Sequence, residues 1–216
     1  MAEFTYVPLE DGTAKIIRYK GPMYIDEVVI PGFLDGRRVT EIGDRAFLEI
    51  LVKRFVVPGS VERIGRSAFE GCGWTEEIVL MEGVREIGQR AFYSSGLNRI
   101  SFPDSVKVIG SEALCLCRSL SEVRLPQGLK TIAAKTFWGD RALRSTRIPE
   151  SVRIIGELAF ADSNHYSKII IPEWVEHIDD SAFAGCNGLL LGVYPESEGD
   201  RFARANGCSA CFVVLP

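Results

Sequence analysis

The cysteines and histidines are the residues of this sequence whose types could support catalysis or metal binding. The chain has six cysteines and two histidines in 216 residues. Cys208 and Cys211 form a CxxC pair, a spacing that occurs in redox-active motifs and in half of a zinc site. A zinc site would need two more ligands, and His165 and His177 have no metal-ligand spacing to one another. We therefore expect this cysteine pair to pack at the C-terminal end, with thiol-based redox or metal-dependent activity there as the alternative.

The other residue patterns that carry catalysis do not occur in the sequence. It contains no GxSxG nucleophile motif and no phosphate-binding glycine loop, and its acidic residues are spread along the chain. An enzyme would need a convergent set of such groups. We therefore expect no enzymatic activity, no catalytic residues, no cofactor and no metal.

Charge and hydropathy limit the classes of partner. The 25 Lys and Arg residues against 29 Asp and Glu give a net charge of −4, which does not favour nucleic acid. No apolar run reaches membrane-spanning length, and the start MAEFTYVPLEDG lacks the pattern of a secretory signal. Largely unpaired cysteines favour a reducing compartment. Localisation stays open between the cytoplasm and, if a signal was removed, the cell surface or the exterior.

A segment of seven residues recurs along most of the chain, from EIGDRAF at Glu41 to HIDDSAF ending at Phe183. The first isoleucines of successive copies are 22 or 23 residues apart. A fixed period of this length is typical of solenoids, in which each repeat buries its apolar face against its neighbours. The copies are marked by Ile42, Ile64, Ile87, Ile109, Ile132, Ile155 and Ile178.

A second element runs in phase with the first and ends in proline in every copy but one, where Met81 takes its place. Apolar residues at its fourth and sixth positions predict a strand whose alternate side chains face a core. Proline ends the strand because it lacks the amide hydrogen that a parallel ladder needs. A second apolar pair after each proline predicts another strand-like side. The segments are IDEVVIP, VKRFVVP, TEEIVLM, LNRISFP, LSEVRLP, LRSTRIP, YSKIIIP and LLLGVYP.

The phenylalanine of each copy is predicted to stack inside the coil on its counterparts in neighbouring turns. The position eight residues after each first isoleucine, which we call the slot, has mixed side chains, so Cys72 there fits a packing role. Cys72 and Cys117 would lie two turns apart, about 9 to 10 Å, too far for a disulfide. The phenylalanines are Phe47, Phe69, Phe92, Phe137, Phe160 and Phe183, and the slot holds Ile50, Cys72, Ser95, Cys117, Asp140, Ser163 and Cys186.

The recurring prolines, isoleucine-glycine pairs and alanine-phenylalanine pairs resemble BspA-type (Treponema pallidum-like) leucine-rich repeats, whose pattern is roughly LxxIxIPxxVxxIGxxAFxxCxxL. The match covers most of the chain. It implies an α/β repeat solenoid: a leucine-rich-repeat right-handed coil with a parallel sheet of about eight strands, an N-terminal hairpin cap and a C-terminal helix cap. We expect a single leucine-rich-repeat domain over 1–216, with the N-terminal cap and first strand at 1–38, repeats at 39–195 and the C-terminal cap at 196–216.

A few positions depart from the family pattern. Leu114 replaces a phenylalanine, Ala133 and Asp179 replace the glycine, Thr136 replaces the alanine, and Thr146 replaces a strand isoleucine. We expect each departure to affect packing at its own site only.

The stretch ESEGDRFARANG predicts a short capping helix. Ser197 is its expected N-cap, acidic Asp200 follows three residues later, Phe202 and Ala205 share one face, and Gly207 ends it. The stretch CFVVLP would add a final strand, and a docking role for the helix is the alternative to capping. Both ends resemble the family's terminal segments, so we expect a complete array.

The second, third and fifth positions of each strand should form the open face of the sheet. There, Val29, Val56 and Val79 predict an apolar patch, and a basic group follows. Apolar anchors beside arginines are typical of protein-binding surfaces, although valine also simply favours strands and long basic side chains can cover a sheet. The basic candidates are Arg99, Arg124, Arg144, Arg147 and Lys168; the third positions end at Leu191 and the fifth at Val193.

The predicted function is a non-catalytic protein–protein interaction module that binds a macromolecular partner through this face. The resemblance adds a setting, because BspA-type proteins are often microbial surface proteins implicated in adhesion to host proteins or other cells. An intracellular scaffold is the alternative. The sequence specifies neither the partner nor the oligomeric state.

Overall fold

Each repeat forms one turn of a coil that carries a strand on two of its sides. The computed structural model describes residues 3–143, 145–163 and 168–213. In chain order the elements are β1 (Phe4–Pro8), β2 (Ala14–Tyr19), β3 (Ile25–Val29), β4 (Phe33–Leu34), β5 (Arg37–Ile42), β6 (Val52–Val57), β7 (Arg63–Ile64), β8 (Glu77–Leu80), β9 (Glu86–Ile87), β10 (Arg99–Ser101), β11 (Val108–Ile109), β12 (Glu122–Arg124), β13 (Thr131–Ile132), β14 (Ser145–Thr146), β15 (Ile154–Ile155), β16 (Lys168–Ile170), β17 (His177–Ile178), β18 (Leu190–Val193), α1 (Glu198–Ala205) and β19 (Ala210–Phe212).

The strands form two sheets on different sides of the coil. The front sheet runs β3-β6-β8-β10-β12-β14, and a second group, β16-β18-β19, continues it. The back sheet runs β1-β2-β5-β7-β9-β11 and then β13-β15-β17. The pairs between successive repeats are parallel, as the repeat pattern predicts, and the second strand-like side is confirmed.

The phenylalanines form the predicted ladder inside the coil. The rings of Phe47 and Phe69 stack with centroids 4.8 Å apart, and those of Phe160 and Phe183 stack at 5.2 Å. Leu114 interrupts the ladder between Phe92 and Phe137. All six phenylalanines are buried, together with the isoleucines that mark the repeats.

The departures from the repeat pattern coincide with a larger change than we expected. Between β11 and β13 the back sheet has no ladder pairing, and among the described backbone hydrogen bonds none joins the Ala133 amide to the preceding turn. The corresponding amides of Gly110 and Gly156 each bond one turn back, at 2.9 Å. Asp179 also replaces a glycine, yet its amide bonds to the Ile155 carbonyl at 2.9 Å, so loss of the glycine does not by itself open the ladder. We call this break, together with Leu114, the seam.

The last repeat differs from the predicted register by one residue. Ile169 pairs with Leu191, so Leu191 and Val193 face the core and are buried. Our placement of Leu191 and Val193 on the open face was therefore wrong. The shift turns two large apolar side chains inward in place of Gly192 and Tyr194, which buries more apolar surface.

The two ends of the coil are covered differently. At the N-terminus, β1 and β2 form the expected hairpin, which packs Tyr19 against Phe47 at 5.6 Å. At the C-terminus, the backbone amide of Asp200 donates to the Ser197 hydroxyl at the start of α1, as predicted. Phe202 is buried against the last repeat.

Our prediction that Ala205 shares the packed face of α1 with Phe202 was wrong. Ala205 is exposed, and Ala203 is the alanine that packs with Phe202. Gly207 follows the helix with φ +63, a conformation that favours glycine.

Candidate partner-binding face

The third strand positions carry a row of ion pairs across the first repeats of the front sheet. The Arg54 guanidinium donates to the Glu27 carboxylate on one side and, at 2.9 Å, to Glu77 on the other. Arg99 donates to Glu77 at 3.1 Å. The hydrogen bonds from Arg54 and then from Arg99 lower the pKa of Glu77, and the bonds of Arg54 to Glu77 and then to Glu27 raise the pKa of Arg54. Every partner is at least partly exposed, so these ion pairs contribute little to the free energy of unfolding. Their main effect is to favour the observed register between neighbouring strands.

The valines predicted as an apolar patch are unequally exposed. Val29 is 59% exposed, whereas Val56 and Val79 are half-buried. Val29 lies on β3, at the edge of the front sheet, and the other two are flanked by a strand on each side. The expected patch is therefore narrower than the sequence suggested. Beyond Val79 a depression of about 500 Å³ continues the apolar surface towards Arg99 and Arg124.

The basic residues of the face fall into two groups. Arg99 and Arg124 are exposed but paired: Arg124 donates to the Asp104 carboxylate at 3.1 Å and to the Phe102 carbonyl. The backbone amide of Gln127 and then Arg124 lower the pKa of Asp104.

Arg147 and Lys168 are the second group. Both are exposed, and among the described residues neither forms an ion pair. They line a depression of about 480 Å³ together with Ile170 and Tyr194. Arg144, the remaining candidate, lies outside the described residues.

Sequence reasoning missed Tyr194 as a surface residue. It occupies the sixth position of its segment, which we assigned to the core, and the one-residue shift of β18 turns it towards the depression. The sequence contains the information needed to place it. Leu189, Leu191 and Val193 alternate along the segment, which predicts a core-facing side one residue earlier than the fourth and sixth positions of the repeat pattern. An exposed pair of rings, Tyr24 and Trp74 with centroids 5.4 Å apart, also went unpredicted.

The slot cysteines take part in the core, as expected. All six cysteines are free thiols. Burial raises the pKa of Cys72 to about 12 and that of Cys115 to about 12, and it also raises the pKa of Cys117. A raised pKa keeps a thiol protonated and unreactive at neutral pH.

The CxxC pair lies at the end of the coil. Cys208 and Cys211 are half-buried on either side of the start of β19, and burial raises the pKa of Cys208. Within the described ranges no group of three or more potential ligands is arranged to hold a metal ion. His177 lies exposed on β17, and His165 is outside these ranges.

Within the described ranges, no helix is long and apolar enough to cross a bilayer.

A coil with this period, parallel strands on two sides and a helix at its end defines the class: leucine-rich repeat proteins. A sequence model described as BspA type Leucine rich repeat region (6 copies) matches residues 40–166 and 130–191. The chain belongs to the BspA-type leucine-rich repeat family.

Several solved structures share the fold. The leucine-rich repeat protein TpLRR of T. pallidum aligns over 99% of this chain and 97% of its own, with 28% identity and a TM-score of 0.61. A leucine-rich repeat protein from Bacteroides ovatus aligns over 100% and 67%, with 22% identity and a TM-score of 0.57. The pneumococcal vaccine antigen PcpA aligns over 88% and 62%, with 16% identity and a TM-score of 0.62. No curated protein matches this chain.

Proposed function

We propose that this protein is a non-catalytic module that binds another protein through the open face of the front sheet, with 1–216 acting as one repeat domain. The observation that carries the proposal is the mixed chemistry of this face. Apolar surface at Val29 and along Val79 lies beside exposed arginines on a support fixed by the phenylalanine ladder. Arginine and apolar anchors dominate the energetics of protein interfaces, and a rigid support lowers the entropy lost on binding.

The proposed binding residues are those that the sequence singled out: Val29, Val56, Val79, Arg99, Arg124, Arg144, Arg147 and Lys168. Two settings fit a module of this kind. Adhesion at a microbial surface is in keeping with the family, and an intracellular scaffold is the alternative. Labelling of surface proteins on intact cells, compared with labelling of a lysate, separates the two: only a surface protein is labelled in both.

Partner capture tests the proposal. The immobilised protein is incubated with extracts of the source organism and of the cells it meets, and bound proteins are identified. The variant Arg124→Glu/Arg147→Glu should lose the partner that the unaltered protein retains, with little change in melting temperature. The matched control is Arg118→Glu/Lys130→Glu, which makes the same change of charge at exposed positions off the front sheet. Equal capture by both variants would remove this face from the function.

A further inference from the structure

The charges on the front sheet are balanced at one end and unbalanced at the other. In the first repeats, Arg54 and Arg99 share Glu77 as an acceptor, and Arg54 also reaches Glu27. At the other end, Arg147 and Lys168 form no ion pair with any described residue. Residues 144 and 164–167, the nearest in sequence that lie outside the described ranges, include no Asp or Glu.

The depression that the two cations line also has apolar lining. Ile170, which shares β16 with Lys168, is 45% exposed, and half-buried Tyr194 is a further lining residue. Glu150 also lines the depression, yet it makes no ion pair with Arg147. The volume of about 480 Å³ is in the range of sites that accept a few side chains.

We propose that this depression, which we call the basic pocket, binds an acidic segment of the partner protein. The inference rests on the proposed function of the face. One carboxylate of the segment lies between Arg147, whose planar guanidinium suits a bidentate contact, and Lys168, which acts as a point charge. An apolar side chain beside that carboxylate packs on Ile170 and Tyr194.

Charge elsewhere on the face favours a short acidic peptide over a longer polyanion. A nucleic acid would extend from the basic pocket along the sheet, where it would meet the carboxylates of Glu122 and Glu77. Binding to nucleic acid depends on many phosphate contacts, and two isolated cations supply few. A protein segment can place its charge at one point and present neutral or apolar groups to the rest of the surface.

A labelled peptide tests the basic pocket directly. The probe is the peptide GDELFDELG with a tetramethylrhodamine label, and its matched control is GNQLFNQLG, in which every carboxylate becomes an amide. Fluorescence anisotropy with the unaltered protein should give saturable binding of the acidic peptide with a Kd below about 1 mM. The amide peptide should bind at least about tenfold more weakly. Added salt should weaken only the acidic peptide.

Two protein variants locate the site. Arg147→Glu/Lys168→Glu should weaken binding of the acidic peptide by about tenfold or more, and Arg118→Glu/Lys130→Glu should not change it. Circular dichroism confirms that both variants fold, and Arg147→Gln/Lys168→Gln serves if charge reversal unfolds the chain. Equal binding of the two peptides, or no binding of the acidic one, overturns the inference. Binding that survives in both pocket variants also overturns it, and binding of single-stranded DNA at equal affinity would assign the pocket to polyanions instead.

These outcomes are separable from failure of the proposed function. If the partner is captured through the face but the acidic peptide does not bind, only the acidic-segment inference fails. If the peptide binds at the basic pocket while no partner depends on the face, the proposed function fails.

Discussion

The Sγ atom of Cys72 lies 3.0 Å from the carbonyl oxygen of Phe47, to which the thiol donates a hydrogen bond one turn back along the coil. Cys117 makes the same contact to Phe92 at 3.1 Å, and Ser163 to Phe137 at 2.7 Å. Cys186 also donates to the Phe160 carbonyl at 3.0 Å, so in these four turns the slot is a hydrogen-bond donor position that links the turn to the phenylalanine of the turn before it. Both cysteine and serine can make this contact, whereas the hydroxyl of Ser95 lies 3.2 Å from the Cys117 Sγ atom instead.

Replacement of Cys72 should distinguish a donor from simple packing. Cys72→Ser keeps a donor and should change the free energy of unfolding little. Cys72→Ala removes both the donor and buried volume, and should cost about 1 to 2 kcal/mol more than the serine variant. Urea denaturation of both variants measures the difference. If the alanine variant is as stable as the serine variant, the hydrogen bond does not contribute to the free energy of unfolding.

Asp140 occupies the slot where a donor is expected. Its side chain is fully buried, and its carboxyl oxygens have no hydrogen-bond partner among the described residues. Burial raises the pKa of Asp140 well above the ordinary range, and the pKa of Cys117 is raised by burial first and then by the charge of Asp140. Asp140→Ser restores the slot donor and should increase the free energy of unfolding at pH 7 by about 1 to 3 kcal/mol.

The same residue should make stability depend on pH. Because the folded-state pKa of Asp140 is raised, its contribution is most favourable below the ordinary carboxyl pKa, and it is lost as pH rises above about 4. The stability gained by Asp140→Ser should therefore grow between pH 5 and pH 8, measured by urea denaturation at each pH. A gain that is independent of pH would mean that the Asp140 carboxyl does not titrate differently on folding over this range.

The phenylalanine ladder should carry a large share of stability. Phe69 stacks on Phe47 and on Phe92 with centroids 4.8 and 5.8 Å away, so Phe69→Ala should cost about 3 to 5 kcal/mol. Phe212 is 56% exposed on β19, and Phe212→Ala should cost less than about 1 kcal/mol. Thermal and urea unfolding give both values. Similar losses for the two variants would show that the ladder is not the main support.

The seam should be visible in amide hydrogen exchange. The Ala133 amide has no backbone acceptor in the described structure, whereas the Gly110 and Gly156 amides bond at 2.9 Å in the equivalent position. Exchange at Ala133, followed by NMR, should be faster than at both glycines, because an unbonded amide needs no opening event. Equal protection at the three sites would mean that the back sheet is continuous in solution.

The repeat made most of the fold predictable. Once Ile42 and Ile64 define the period, the strands, the stacked phenylalanines and the slot follow, because neighbouring turns must bury the same positions. The register of β18 was not predictable from the period alone. In β18, burial of Leu191 and Val193 favours a register one residue away from the one that the repeat period predicts. Tyr194 lies at the surface as a result.

The candidate site was predictable only in part. Alternation along a strand places Arg147 and Lys168 on the same face, but pairing depends on side-chain reach between strands, which a sequence does not give. Arg124 is held by Asp104, twenty residues earlier in the chain, while Arg147 forms no ion pair with any residue of the described ranges.

The seam also has a mechanical meaning. At the seam, β10 and β12 of the front sheet are still paired, and the Leu114 amide still donates to the Thr136 carbonyl of the next turn. The back sheet has no ladder pairing there. A molecule stretched between its two ends should give way at this plane first, releasing the coil in two successive lengths. For a protein tethered at one end and loaded at the other, the plane would act as a weak link that extends before either half unravels.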